Sequence, residues 1–198
     1  MPRMLLLVGC FVLIISVLSL NSAQFNQFDL TSVEWMSQHR FAIFNQIAIG
    51  LSVLGGMPFV LFLTSLWCLY LAWYKKYIEI VFISIGIFGS ISFAWLLKFT
   101  FIRPRPPEIY HLVASYGSSF PSAHSCYAAA LGCLMILIYR QHARHKLITL
   151  LAFIWMLSMG ISRVYVGVHF PSDVLSGWSI SFIWIALLYL AYIKSSKP

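Results

Sequence analysis

Residues 78–98, IEIVFISIGIFGSISFAWLLK, decide the fold. One acid, Glu79, stands near its start and one cation, Lys98, closes it; between them no side chain ionises. An apolar run of roughly 20 residues is what a helix needs to cross the hydrocarbon core of a bilayer. Comparable runs recur along the chain: Met4 to about Leu20, Met57 to Tyr74, Pro121 to the residue before Arg140, Leu147 to about Ile161, and Pro171 to Ile193. Taken with Ile78 to Leu97, they make six expected spans. Backbone N–H and C=O groups find no water in hydrocarbon, so each run has to be a helix that satisfies itself. The expected fold class is all-α: a polytopic membrane helical bundle of six transmembrane helices, forming a single membrane-embedded domain over residues 1–198.

Composition points the same way. Of the 198 residues, 61% are hydrophobic and 9% charged, against about 25% charged in soluble domains. Mean hydropathy is +0.87. A disordered chain, a nucleic-acid-binding domain and an ordinary cytosolic globule are excluded. The net charge of +8 rests on 13 Lys+Arg against 5 acids, too few for a polyanion-binding face, so the cations read as membrane-flanking and site-specific groups. Asp29, Glu34, Glu79, Glu108 and Asp173 are scattered. No Asp-rich pair is set to hold Mg²⁺ or Ca²⁺, and no metal or other cofactor is expected. Cys10, Cys68, Cys126 and Cys133 lie in apolar stretches without CxxC spacing and read as small buried hydrophobes.

The first run follows Arg3 and precedes Asn21-Ser22-Ala23, so it is either a span or a cleaved signal peptide. Phe25 to Val53 is amphipathic. Within it Thr31-x-x-Glu34 predicts a capping box that starts an interfacial helix carrying Trp35. Gly55-Gly56 and Pro58 then break the chain. Six spans place Arg3, Lys75, Lys76, Arg140, Arg144, Lys146, Lys194 and Lys197 on one side, and Arg40, Lys98, Arg103, Arg105 and Arg163 on the other. The positive-inside bias predicts both termini in the cytoplasm.

The outer side then collects a set of polar residues. Lys98, Arg103 and Arg105 stand where the third span meets its loop, and Arg163 ends the fifth. Ser122, His124, His169 and Asp173 lie at the mouths of spans four to six. Ionisable groups at membrane depth are costly, which makes them candidates for function. Converging guanidinium and ammonium groups suit a multiply charged anion, Arg by its planar fork. Pro121-Ser122-Ala123-His124 opens a helix, whose free N–H groups face the same region. His169 precedes Asp173 by four residues. A carboxylate on one ring nitrogen leaves the other free to attack phosphorus. His124 is then the general acid and base. Arg103 is either another phosphate ligand or a headgroup anchor. His39 and His111 read as structural, and His142, Arg144, His145 and Lys146 as an inner cationic cluster.

Lys98-x6-Arg105-Pro106, Pro121-Ser122-Ala123-His124 and Ser162-Arg163-x5-His169-x3-Asp173 resemble, in order and spacing, the motifs of the type-2 phosphatidic acid phosphatase superfamily, which also contains the vanadium haloperoxidases. The motifs span residues 98–173, and the hydropathy fits the membrane lipid phosphatase branch. The resemblance implies that Lys98, Arg105, Ser122 and Arg163, with a backbone N–H near Ala123, bind the phosphoryl oxygens. It implies that His169 becomes a phosphohistidine, that Asp173 orients it, and that His124 is acid and base. The family usually has Gly where Ala123 stands, and the methyl narrows the room for a phosphate.

The expected activity is therefore hydrolysis of a lipid phosphate or diphosphate taken from the bilayer, at the outer face of a bacterial inner membrane. Undecaprenyl diphosphate is the foremost expected substrate. Phosphatidylglycerol phosphate, phosphatidate and lipid A phosphate are rivals, and a phosphotransferase would use the same residues. A non-enzymatic anion transporter would place charges through its spans, whereas these spans are nearly charge-free between their ends. Oligomeric state is not legible, and no nucleic-acid partner is expected.

Overall fold

Every apolar run is helical in the computed structural model, which describes residues 2–195. The helices are α1 (Pro2–Ser19), α2 (Ala23–Gln38), α3 (Ala42–Leu54), α4 (Met57–Trp73), α5 (Tyr77–Thr100), α6 (Ala123–Ile138), α7 (His145–Tyr165) and α8 (Pro171–Ser195). One 3₁₀ turn, Glu108–Tyr110, interrupts the loop between α5 and α6. Among the described residues there is no strand.

Packing follows the logic of a bilayer, with large apolar side chains outside and small ones within. In α1, Gly9, Ser16 and Ser19 are buried while Leu7, Phe11, Ile14 and Leu18 are exposed. Gly9 lies so close to α8 that a Cβ there would press on Ile183 and Phe182. The run weighed as a signal peptide is thus packed along α8. α6 is the centre of the bundle: everything from Ser125 to Leu134 is buried, against α5, α7 and α8. Ala128, Ala129 and Ala130 keep its girth small, and Ile83, Ile87, Leu134 and Ile185 fill the space between α5, α6 and α8.

The expected helical membrane bundle is present, and one expected helix start is corrected. By length and apolarity four helices can cross a membrane (α1, α5, α7 and α8), and a fifth crossing requires α3 and α4, bent by 62° at Gly55-Gly56, to act as one. α6 has only 16 residues, about 24 Å of helix at 1.5 Å per residue. It is short because Pro121 and Ser122 belong to the incoming loop, and it needs no full apolar jacket because its neighbours enclose it. The helix expected to start at Thr31 begins instead at Ala23, with Ser22 at its N-cap position. Thr31 sits mid-helix, where its hydroxyl accepts from Gln27 Nε2 at 3.3 Å. The Glu34 carboxylate accepts from Tyr110 Oη at 2.9 Å instead of closing a capping box. Lys197, counted among the cations of one side, lies outside the described residues.

One end of the bundle is closed by the α5–α6 loop (101–122) and the α7–α8 loop (166–170). Leu112 N–H to Val166 O ties them together, and Ser122 N–H to Asp173 O ties the first of them to the start of α8, each 2.9 Å. Gly167 has φ +79°, and a Cβ there would collide with the Tyr110 carbonyl; the turn requires glycine. On α8, a Cβ at Gly177 would meet the Ser122 carbonyl, so α8 and the start of α6 touch backbone to side.

Candidate active site

A cavity of about 630 Å³ opens at this end. Lys98, Arg105, Ala123, His124, Arg163 and His169 line it, and Met57, Trp95, Phe99 and Ile102 form an apolar flank. No carboxylate is among its lining residues. Six of the eight residues singled out from the sequence therefore meet in one concavity, although α5, the two loops, α6 and α7 supply them separately.

Lys98, in the last turn of α5, donates to Ser118 O at 2.6 Å. Arg105 is wrapped by loop carbonyls. Its Nε donates to Gly117 O (3.0 Å), Nη2 to Tyr116 O (2.8 Å) and Nη1 to Val168 O (2.8 Å). The same Nη1 stands 3.4 Å from His169 Nε2. Burial lowers the Arg105 pKa from its ordinary value, opposed by the nearby Asp173 carboxylate. Arg163 is 1% exposed. Its Nη2 donates to Ser52 Oγ (2.5 Å) and Ala48 O (3.3 Å), and Nε to Ser162 Oγ (3.2 Å); Nη1 makes none of these bonds.

His169 sits in the α7–α8 loop with its Nδ1 3.5 Å from Asp173 Oδ2, loose for a hydrogen bond. That nitrogen has no other partner among the described residues. Complete burial pushes the His169 pKa down to about 3, against the opposing pull of Asp173. The ring is therefore neutral, and the donor at Nε2 is Arg105, which leaves the proton on Nδ1 facing the carboxylate. Asp173, in the first turn of α8, is fully buried. Its Oδ2 also accepts from Phe170 N–H at 2.9 Å, and its Oδ1 from Arg103 Nη1 at 2.7 Å.

His124 donates from Nε2 to the Ser52 carbonyl at 3.0 Å, since a carbonyl can only accept. Its Nδ1 is the ring nitrogen left over. Ala123 is the first residue of α6 and lines the cavity directly. Ser122, like Asp173, does not join the wall. It is fully buried as the N-cap of α6, and its hydroxyl accepts from Ser125 N–H (3.4 Å) and Ser125 Oγ (2.9 Å). Capping an N-terminal turn satisfies donors that would otherwise be orphaned.

Four residues gain a place that the sequence did not signal. Ser52, one serine in an apolar helix, holds Arg163 by its hydroxyl and His124 by its carbonyl. Arg40 ties α7 to the α5–α6 loop, its Nη2 donating to Tyr165 O and Tyr110 O at 2.7 Å each. Arg103 is neither on the cavity wall nor free for a headgroup. It bridges Asp173 and Asp29, 2.8 Å from the latter, so both readings offered for it are corrected. A buried acid such as Asp29 demands a cation, but sequence offers no sign that an acid on a polar helix will be buried.

Comparison with known proteins bears on the chain as a whole. The family model described as the PAP2 superfamily matches residues 73–197. Phosphatidylglycerophosphatase B of Bacillus subtilis (strain 168) is 29% identical over 149 residues, 73% of each chain. Undecaprenyl-diphosphatase BcrC of the same organism is 25% identical over 164 residues, 81% of this chain and 80% of that one. The crystal structure of a transmembrane PAP2-type phosphatidylglycerolphosphate phosphatase from Bacillus subtilis superposes with a TM-score of 0.85 at 24% identity, covering 99% of this chain and 97% of that chain.

Proposed function

Since the chain belongs to the PAP2 superfamily and is a multi-pass membrane phosphatase, we propose that it removes phosphate from a lipid headgroup through a phosphohistidine on His169. Undecaprenyl diphosphate is the foremost substrate. The observation that carries this reading is the cavity that joins Lys98, Arg105 and Arg163 to two histidines and to an apolar flank. Three cations without a facing carboxylate suit a phosphate or diphosphate, and the apolar flank suits a chain leaving toward the bilayer. The curated relatives are named for phosphatidylglycerophosphate and undecaprenyl diphosphate, so a panel of both lipids, with phosphatidate and lipid A, ranks the substrates by kcat/KM. Family membership sets the anion-transporter reading aside.

The steps balance without a cofactor. The Nε2 lone pair of His169 attacks phosphorus as the P–O bond to the lipid breaks. The bond's electrons pass to the leaving oxygen, which takes the proton carried on Nδ1 of a His124 that enters the step as the imidazolium. Water then attacks the phosphohistidine, giving its proton to His124, and the N–P bond breaks to restore His169. Lys98, Arg105 and Arg163 hold the phosphoryl oxygens, exchanging carbonyl partners such as Ser118 O and Gly117 O for them. Because these side chains supply the positive charge, turnover is expected to survive EDTA and to be blocked by vanadate, a mimic of five-coordinate phosphorus. Strict dependence on added Mg²⁺ would overturn the mechanism.

The same reading places the six apolar helices across the bilayer as one domain, α6 included, with the cavity on the outer face and both termini in the cytoplasm. Arg40, Lys98 and Arg105 bond into the loops at the cavity end, Arg103 bonds to Asp173 and Arg163 to α3, so the remaining cations carry the positive-inside bias. A reporter fused after Pro198 is expected to read as cytoplasmic, and one inserted beside Tyr110 as external. The reverse pattern would put the cavity inside and exclude an outer-leaflet substrate.

A further inference from the structure

We infer that Asp29, on α2 and outside every motif, is a positioning residue for phosphoryl transfer that acts through Arg103 to set the charge Asp173 presents to His169. The inference rests on the phosphohistidine reading above and adds a residue to it.

The groups form a row. Asp29 is 3% exposed. Its Oδ1 accepts from Ser172 N–H at 3.1 Å, and its Oδ2 accepts from Ser172 Oγ and from Arg103 Nη2. Arg103 Nη1 reaches Asp173 Oδ1 at 2.7 Å and Ser172 Oγ at 2.8 Å. Its Nη2 also donates to Asn26 Oδ1 at 3.2 Å, and its guanidinium carbon lies 4.3 Å from the centre of the Phe170 ring. Asp173 then faces His169. Neither Asp29 nor Arg103 lines the cavity, so neither touches the substrate there.

Formal charges along the row give the reason for it. Arg103 and Asp173 alone would neutralise each other, and a positive charge arising on His169 would meet no net counter-charge. Asp29 leaves the row one negative in excess while His169 is neutral. Bonding of Nε2 to phosphorus makes the imidazole ring a cation, and the row becomes neutral. In a buried site such balances weigh far more than in water. Asp29 also holds the Ser172 N–H in the first turn of α8, which sets where Asp173 begins.

The test uses the full chain in detergent, with dioctanoyl phosphatidate as substrate and kcat, KM and phosphohistidine formation as readouts. Asp29→Asn keeps the shape and an acceptor for Ser172 but removes the charge. It is expected to lower kcat by about 10-fold to 100-fold, the range for partners that act one shell out, with KM near wild type. Asp29→Glu should retain more activity than its isostere Asp29→Gln, a comparison free of differences in size. The double variant Asp29→Asn/Arg103→Met should be no worse than Arg103→Met alone, because the effect passes through Arg103. A Glu-to-Gln ratio near one, or losses that multiply in the double variant, overturns the inference and leaves a simple staple between α2 and α8. His169→Ala run alongside separates the two failures. If it keeps turnover, the phosphohistidine reading falls and this inference with it. If it is inactive while Asp29→Asn matches wild type, only the inference falls.

Discussion

His169→Ala is expected to abolish turnover of every substrate and to form no phosphoenzyme, while His124→Ala is expected to fail in a way that depends on the leaving group. The contrast follows from where each ring is held. His169 has Nε2 at the cavity and Nδ1 toward Asp173, so no other group can take over as nucleophile. His124 is anchored by Nε2 on Ser52 O, and its task is to move a proton. An alkoxide leaving from a phosphatidate-like ester needs that proton, whereas nitrophenolate leaves without it. The His124→Ala protein should therefore still phosphorylate His169 from nitrophenyl phosphate and then stall, since water lacks its base. The trapped phosphohistidine is read by mass spectrometry under alkaline handling. Equal loss of both substrates in both variants, with phosphohistidine in neither, would remove the division of labour.

Asp173→Asn is expected to leave the bundle folded and to lower kcat on the order of 10⁴, the loss produced by Asp→Asn in a serine-protease triad, or about 5 kcal/mol of barrier. The hydrogen bonds explain so large a cost from one atom. Asp173 Oδ1 accepts a hydrogen bond from Arg103 and Oδ2 accepts one from Phe170 N–H, with His169 Nδ1 beside it. An amide offers one oxygen for these donors. If the oxygen stays with Arg103, the NH₂ group faces Phe170 N–H and His169 Nδ1–H, two donors against a donor. His169 relieves the conflict by moving its proton to Nε2, which removes the lone pair that attacks phosphorus. Single-turnover phosphoenzyme formation measures this step directly. Near-wild-type rates would mean that another group sets the His169 tautomer.

How much of this was legible before the fold was known differs from residue to residue. Residues 78–98 alone establish a membrane helix, because hydrocarbon permits no other partner for their backbone than their own turns. That Lys98, Arg105, His124, Arg163 and His169 gather at one end of the bundle was readable for a related reason. Charges are scarce in this chain, and those placed at helix mouths with fixed spacing have few roles open to them. The limits of α2, the shortness of α6 and the capping role of Ser122 were not readable, because they depend on which neighbours supply hydrogen bonds. Tertiary structure alone decided that Ser52 holds two site residues at once, that Arg103 stays off the cavity wall, and that Asp29 is buried against Arg103. Asp29 and Asp173 are far apart in the chain and share no pattern. Only the packing of α2 against the start of α8 makes them two ends of one buried row, because a carboxylate removed from water must be met by whatever cation the fold brings to it.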